Sequence, residues 1–195
     1  MKNIIKNTLI LTAITLVAGV LLGLVYEITK EPIAQAKEKA KNEAYQAVMA
    51  EADTFETLDV DSIDLGITGC VVDEVVTAKA GDEVKGFVIT TTTSEGYGGN
   101  IQVSVGIAAD GTVKGIEMLS IAETAGLGMN ANTPEFKAQY ADKLTDAFVV
   151  TKSGAAADNE IDAISGATIT SNAVTNAVNT AITYFNIVLG GSVNE

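Results

Sequence analysis

The sequence predicts an α+β protein: an N-terminal transmembrane helix and helical stalk, then one domain with a largely antiparallel sheet and flanking helices. Three observations carry this reading. Thr8–Tyr26 (TLILTAITLVAGVLLGLVY) is uncharged over about the 20 residues that a helix needs to span a bilayer. Lys85–Thr93 and Asn100–Ala108 are dense in β-branched and apolar residues, and Asp110-Gly111 follows as a hairpin turn signal. The chain closes on an amphipathic run, Ser171–Leu189, of helical period. Sequential strands beside separate helices favour α+β over an alternating parallel fold.

In chain order, Lys2, Lys6 and the terminal amine precede the apolar run without an acid among them, whereas Glu27–Glu31 mixes both signs. That asymmetry predicts a single-pass anchor with a cytoplasmic N-terminus and an extracytoplasmic remainder. A cleaved signal peptide is the rival, since Ala34-Gln35-Ala36 fits a cleavage site. The apolar core is too long for that, and the site lies far beyond its end. After Pro32, the residues Ile33, Ala36, Ala40, Ala44, Ala47 and Val48 recur at helical spacing and predict a helical stalk packed lightly on the domain or on a partner. Thr54–Leu65 reads as an irregular acidic connection. Val71–Ala78, Lys85–Thr93, Asn100–Ala108 and Thr112–Ile121 read as strands, with Gly96-Tyr97-Gly98-Gly99 a loop between the second and third. Pro134–Leu144 reads as a helix with Thr133 as N-cap, and Phe148–Thr151 as a short strand. In the last helix, Ala173, Val174, Ala177, Val178, Ala181, Ile182, Phe185 and Leu189 form one apolar stripe, which Gly190-Gly191 stops. The expected organisation is an anchor at 1–30, a stalk at 31–53 and a domain at 54–195.

Composition narrows the chemistry. Twenty-five acids against 12 basic residues give a net charge of −13, which argues against a nucleic-acid partner. There is no histidine and a single cysteine, Cys70, so a disulfide within the chain, a four-cysteine iron–sulfur site and a CxxC motif are excluded. Redox chemistry here requires an organic cofactor. Cys70 itself reads as a small buried apolar group.

The informative segment is Asp162-Ala163-Ile164-Ser165-Gly166-Ala167-Thr168-Ile169-Thr170-Ser171. It is a loop of small residues running into a helix N-terminus, where unpaired N–H groups and partial positive charge suit a phosphate. Gly166 and Ala167 allow close approach of a ligand. Thr168 presents a hydroxyl, and Thr170 or Ser171 can cap the helix. The residues alone describe equally well a hydroxyl-rich cap after a tight turn.

This run resembles the flavinylation motif of the FMN-binding domain found in the G subunit of Rnf complexes and the C subunit of sodium-pumping NADH:quinone reductases. The resemblance implies an FMN-binding domain with FMN held as a phosphoester on Thr168, with Ser165, Gly166, Ala167 and Asp162 completing the motif. A magnesium-dependent flavin transferase would supply the FMN from FAD. Glu123-Thr124-Ala125-Gly126-Leu127-Gly128 resembles the family's E-T-P-G-L-G loop, and Gly96-Tyr97-Gly98-Gly99 its G-Y-G-G loop, both in the family order. Ala125 replaces the loop proline, and Ile121 stands where a histidine is expected. By this resemblance Glu123, Thr124, Gly126 and Leu127 contact the flavin. Lys152, just upstream, is a candidate for its phosphate, with a solvated surface lysine as the alternative. Tyr97 is a candidate to stack on the ring, or else a packed loop residue. Gly126–Ala131 also fits G-x-G-x-x-A, but the helix signal comes only at Thr133-Pro134 and the preceding strands form a hairpin, against a dinucleotide site.

The resemblance implies an electron-transfer subunit of a membrane ion-translocating ferredoxin:NAD oxidoreductase. Its partners would be other membrane and iron–sulfur subunits, and its residues need no acid–base or metal-binding role. Two other readings are a membrane-anchored module without flavin and a stand-alone flavin reductase.

Overall fold

The computed structural model describes residues 1–58 and 67–190. The chain divides into two compact units, Met1–Lys41 and Asn42–Glu195. From Lys2 on, the first is helical, part of α1 (Lys2–Val48), whose apolar run is long enough to cross a membrane and is nowhere buried by protein. The helix continues through Pro32, which has no N–H to give the carbonyl one turn earlier.

The second unit is built on a five-stranded antiparallel meander in sequence order. Its strands are β1 (Thr54–Leu58), β2 (Cys70–Ala80), β3 (Glu83–Thr93), β4 (Ile101–Ala108) and β5 (Val113–Ile121). The register lines up Val75, Ile89, Val105 and Ile116 as one row across β2 to β5. Alternation puts this row on the face covered by the last helix, α3 (Thr168–Tyr184), where Ala173, Val174, Ala177, Val178, Ala181 and Ile182 join it in the main core. Each large apolar side chain of the row, fully buried, contributes about 1.5–3 kcal/mol. Thr91 Oγ1 fixes α3 on β3 by donating to the Ala177 carbonyl at 3.1 Å.

The opposite face is also covered. Tyr45 and Val48 from the end of α1, with Met49 and Ala52, pack on Val76, Ala78 and Val88. Burial on both faces explains why β3 reads as a continuous apolar and threonine run. Thr54–Leu58, expected to be irregular, is instead the edge strand β1, held by pairing with β2; the rest of that segment, 59–65, lies outside the described residues. The expected light packing also fails at the helix end, where Ala44, Tyr45 and Val48 are buried.

Beyond the meander, Thr133 caps α2 (Pro134–Lys137) by accepting from the Phe136 N–H, as expected. The helix does not reach Leu144: a 3₁₀ turn ends it at Tyr140, and Asp142 adopts a positive φ of 54°. Tyr140 is completely buried between Phe136 and Phe148, at ring separations of 5.8 and 5.1 Å. Its hydroxyl lies 2.7 Å from Thr175 Oγ1, and burial raises its pKa. β6 (Val149–Thr151) pairs in parallel with β7 (Glu160–Asp162). β7 is absent from the sequence reading, because three residues become a strand only through their partner. Cys70, expected to be buried, is half-exposed where β2 begins.

Candidate functional site

The meander brings its loops to one end. Thr93 pairs with Ile101, and Ile101 with Ile121, so the β3–β4 loop and the segment after β5 emerge side by side. The N-terminus of α3 joins them around a cleft of about 630 Å³, lined by Tyr97, Glu123, Thr124, Leu127, Gly128, Gly166, Ala167, Thr168, Ile169 and Thr170. That volume lies within the roughly 300–1,000 Å³ of cofactor sites.

The helix entry is left open chemically. The N-cap is Ala167, and no side chain caps the first turn. Its free N–H groups and the helix dipole therefore favour an anion there. Gly166 takes a φ of +76°, where a side chain would also crowd Leu127. Thr170 and Ser171, expected as caps, lie inside α3. Ser171 instead ties down the loop before the helix: its Oγ accepts from Ile164 N–H at 2.9 Å and donates to the Ala167 carbonyl at 3.1 Å. Thr168 is the first residue of α3 and half-buried at the cleft. Its hydroxyl makes no hydrogen bond among the described residues.

The other walls are mixed. Tyr97, Leu127 and Ile169 are apolar, large and exposed, at 74%, 43% and 54%. Tyr97 is therefore not the packed loop residue of the alternative reading. Glu123 is buried, and its Oε1 accepts the Gly98 N–H at 3.2 Å. The Thr124 carbonyl receives the N–H groups of Leu127 and Met129 at 3.1 and 3.2 Å, closing the turn. Gly128 is packed so tightly that a Cβ would sit 2.6 Å from both Glu123 Oε2 and Thr170 Oγ1.

Of the residues singled out from sequence, the cleft gathers Thr168, Gly166, Ala167, Glu123, Thr124 and Leu127, with Tyr97. Four stand outside its lining. Asp162 ends β7, where its N–H donates to Gln139 Oε1 at 2.6 Å. Ser165 and Lys152 are exposed loop residues. Gly126 takes a φ of +77° in the turn, its carbonyl accepting from Asn130 Nδ2. Sequence reasoning missed Ile169; an apolar side chain amid hydroxyl-bearing neighbours and outside the stripe was its signal.

An FMN-binding domain family model matches residues 96–183, which contain every residue lining the cleft, and an RnfG N-terminal region model matches residues 1–48. The G subunit of the proton-translocating ferredoxin:NAD(+) oxidoreductase complex of Clostridium ljungdahlii is 32% identical over 97% of this chain and 96% of its own. The chain belongs to the G-subunit family of Rnf complexes. A second G subunit, from the Na(+)-translocating complex of Acetobacterium woodii, is 34% identical over 93% of this chain and 91% of its own. The fold is that of the C subunit of the Na(+)-translocating NADH-quinone reductase of Parabacteroides distasonis: TM-score 0.55 at 16% identity, covering 78% of this chain and 93% of that one.

The cleft of this G subunit fits FMN. Tyr97, Leu127 and Ile169 offer apolar surface to a flat ring, and the uncapped start of α3 offers N–H groups to a phosphate. No lysine lines it.

Proposed function

We propose that this protein is an electron-relay subunit of a membrane ion-translocating ferredoxin:NAD oxidoreductase, carrying FMN joined through its phosphate to Thr168. The observation that carries the reading is Thr168 in the cleft lining at an uncapped helix N-terminus, its hydroxyl without a hydrogen bond among the described residues. Of the neighbouring hydroxyls, Ser171 is committed to two hydrogen bonds within the loop, and Thr170 is buried. Attachment makes a bond from Thr168 Oγ to the FMN phosphorus, breaks the pyrophosphate of FAD and releases AMP, with the hydroxyl proton passing to a base of the transferase. An ester suits a cleft without lysine, since it replaces ionic grip by a bond.

Bound FMN supplies the electron-transfer chemistry. The residues of the chain would hold it: the first turn of α3 would take the phosphate, and Tyr97, Leu127 and Ile169 would cover the ring and exclude water. No side chain has to exchange a proton with a substrate, which suits a relay working with the complex's membrane and iron–sulfur subunits. The apolar part of α1 is a single-pass anchor with its N-terminus in the cytoplasm, and the domain is extracytoplasmic. One similar G subunit belongs to a complex named for protons and another to one named for sodium.

The test is the intact mass of protein co-produced with a flavin transferase, against protein made without it. One added FMN phosphoester is expected; an unshifted mass and colourless protein would favour a module without flavin. Flavin turnover with soluble donors, without partner subunits, would favour a stand-alone reductase.

A further inference from the structure

We propose that Glu123 is a positioning residue that assembles the cleft by joining its two glycine loops, and that its charge makes a flavin held there harder to reduce. The second half rests on the flavin reading above; the first does not.

Glu123 lies two residues beyond β5 and is only 9% exposed. Its Oε1 accepts the Gly98 N–H at 3.2 Å. The same carboxylate occupies the space that side chains would need on both sides: a Cβ at Gly96 would stand 2.8 Å from Oε1, and one at Gly128 2.6 Å from Oε2. Glycine at both positions leaves room for this acid, beside the Gly99 carbonyl at Gly96 and the Thr170 hydroxyl at Gly128. Removing the carboxylate takes away the acceptor of the Gly98 N–H and leaves the backbone contact of Gly98 with Ala122 between the two loops.

A tie of this kind needs an acceptor oxygen, which a glutamine supplies equally well. The charge is extra, and it is costly: an enclosed carboxylate loses water, and no lysine pairs with Glu123 among the described residues. The carboxylate belongs to the cleft wall, so its field acts on whatever lies inside. A fixed negative charge opposes each added electron. Across about 10 Å at an effective dielectric near 20, the repulsion changes the oxidised-to-reduced ratio on the order of tenfold, equivalent to about 59 mV for one electron.

The experiment uses full-length protein, as parent, Glu123→Gln and Glu123→Ala, made with and without flavin transferase. Hydrogen exchange of the segment containing Gly98 is read without flavin, and the midpoint potential on labelled protein. Glu123→Gln should keep Gly98 protected, accept the label and raise the potential by about 59 mV. Glu123→Ala should lose protection at Gly98 and label more slowly. Unchanged protection in Glu123→Ala would overturn the tie, and an unchanged potential in labelled Glu123→Gln would overturn the electrostatic role. Parent protein that never takes up flavin would sink the flavin reading and the electrostatic half with it; exchange would still decide the tie.

Discussion

Replacing Thr168 by valine separates a hydroxyl that becomes an ester from one that merely begins a helix. Valine keeps the branched shape and nearly the volume, and its helix propensity is close to that of threonine. The Thr168 hydroxyl has no hydrogen bond to lose among the described residues, and Ala167 holds the N-cap position. The stability change should therefore stay within about 0.5 kcal/mol, a melting shift below roughly 2 °C for a domain of this size. Loss of a true N-cap would cost about 1 kcal/mol, or about 2–4 °C. The label, in contrast, should vanish completely. The assay is flavin fluorescence of the denatured band and intact mass after co-production with the transferase, with a melting curve on the same preparations. Thr168→Ser should keep at least part of the label. Ser171→Ala offers the opposite pattern: it strands the half-buried Ile164 N–H and costs about 1–3 kcal/mol while the acceptor remains. An adduct surviving on folded Thr168→Val, or mapped by peptide mass to Thr170 or Ser171 in the parent, would refute the assignment.

Tyr140→Phe should cost about 1 kcal/mol: Thr175 already donates to the Ser171 carbonyl, so the Tyr140 hydroxyl is the donor in their 2.7 Å bond. A variant melting with the parent would show that this buried bond contributes nothing. Backbone N–H groups of Ala156 and Ala157 hold the Glu160 carboxyl below its usual 4.5. A depressed folded pKa stabilises above the unfolded value, so this contribution should be complete above pH 4.5 and fade as pH falls through the lower folded value. The amide resonances of Ala156 and Ala157 should titrate together below pH 4.5 and cease to do so in Glu160→Gln; a midpoint above 4.5 would contradict the cause. Protease added to intact cells stripped of wall should digest the domain; full protection, with only the N-terminus cut, would invert the proposed orientation.

The inner strands are legible in the sequence because β2 to β5 carry their own apolar or alternating pattern. β1 and β7 are concealed because neither does: Thr54–Leu58 is mostly exposed and exists by pairing with β2, and β7 has three residues. Pro134–Leu144 reads too long as a helix because apolar spacing carries no information about the positive φ at Asp142. At the site, the three loops are readable one by one, from glycines and hydroxyls in a recognisable order. Their convergence follows from the meander, which brings Thr93, Ile101 and Ile121 together. Ser171 reads wrongly as a cap because its hydroxyl works backwards across the loop, seven residues to Ile164. Lys152 follows Thr151, which pairs with Asp162 and accepts from the Ala163 N–H, yet the cleft is lined by other residues.

The end of α1 is as much a wall of the sheet as α3 is. β4 carries glycine at 106, opposite Val88, and a Cβ there would stand 2.9 Å from the carbonyl carbon and Cβ of Val48. A shortened, lipid-free protein that began at Thr54 would thus lose a lid rather than a leash. Val76, Ala78 and Val88 would face water as a bare hydrophobic strip, and such strips drive aggregation. Cutting at Asn42 keeps the lid while discarding the apolar run, so where the gene is cut decides whether the flavin domain is soluble.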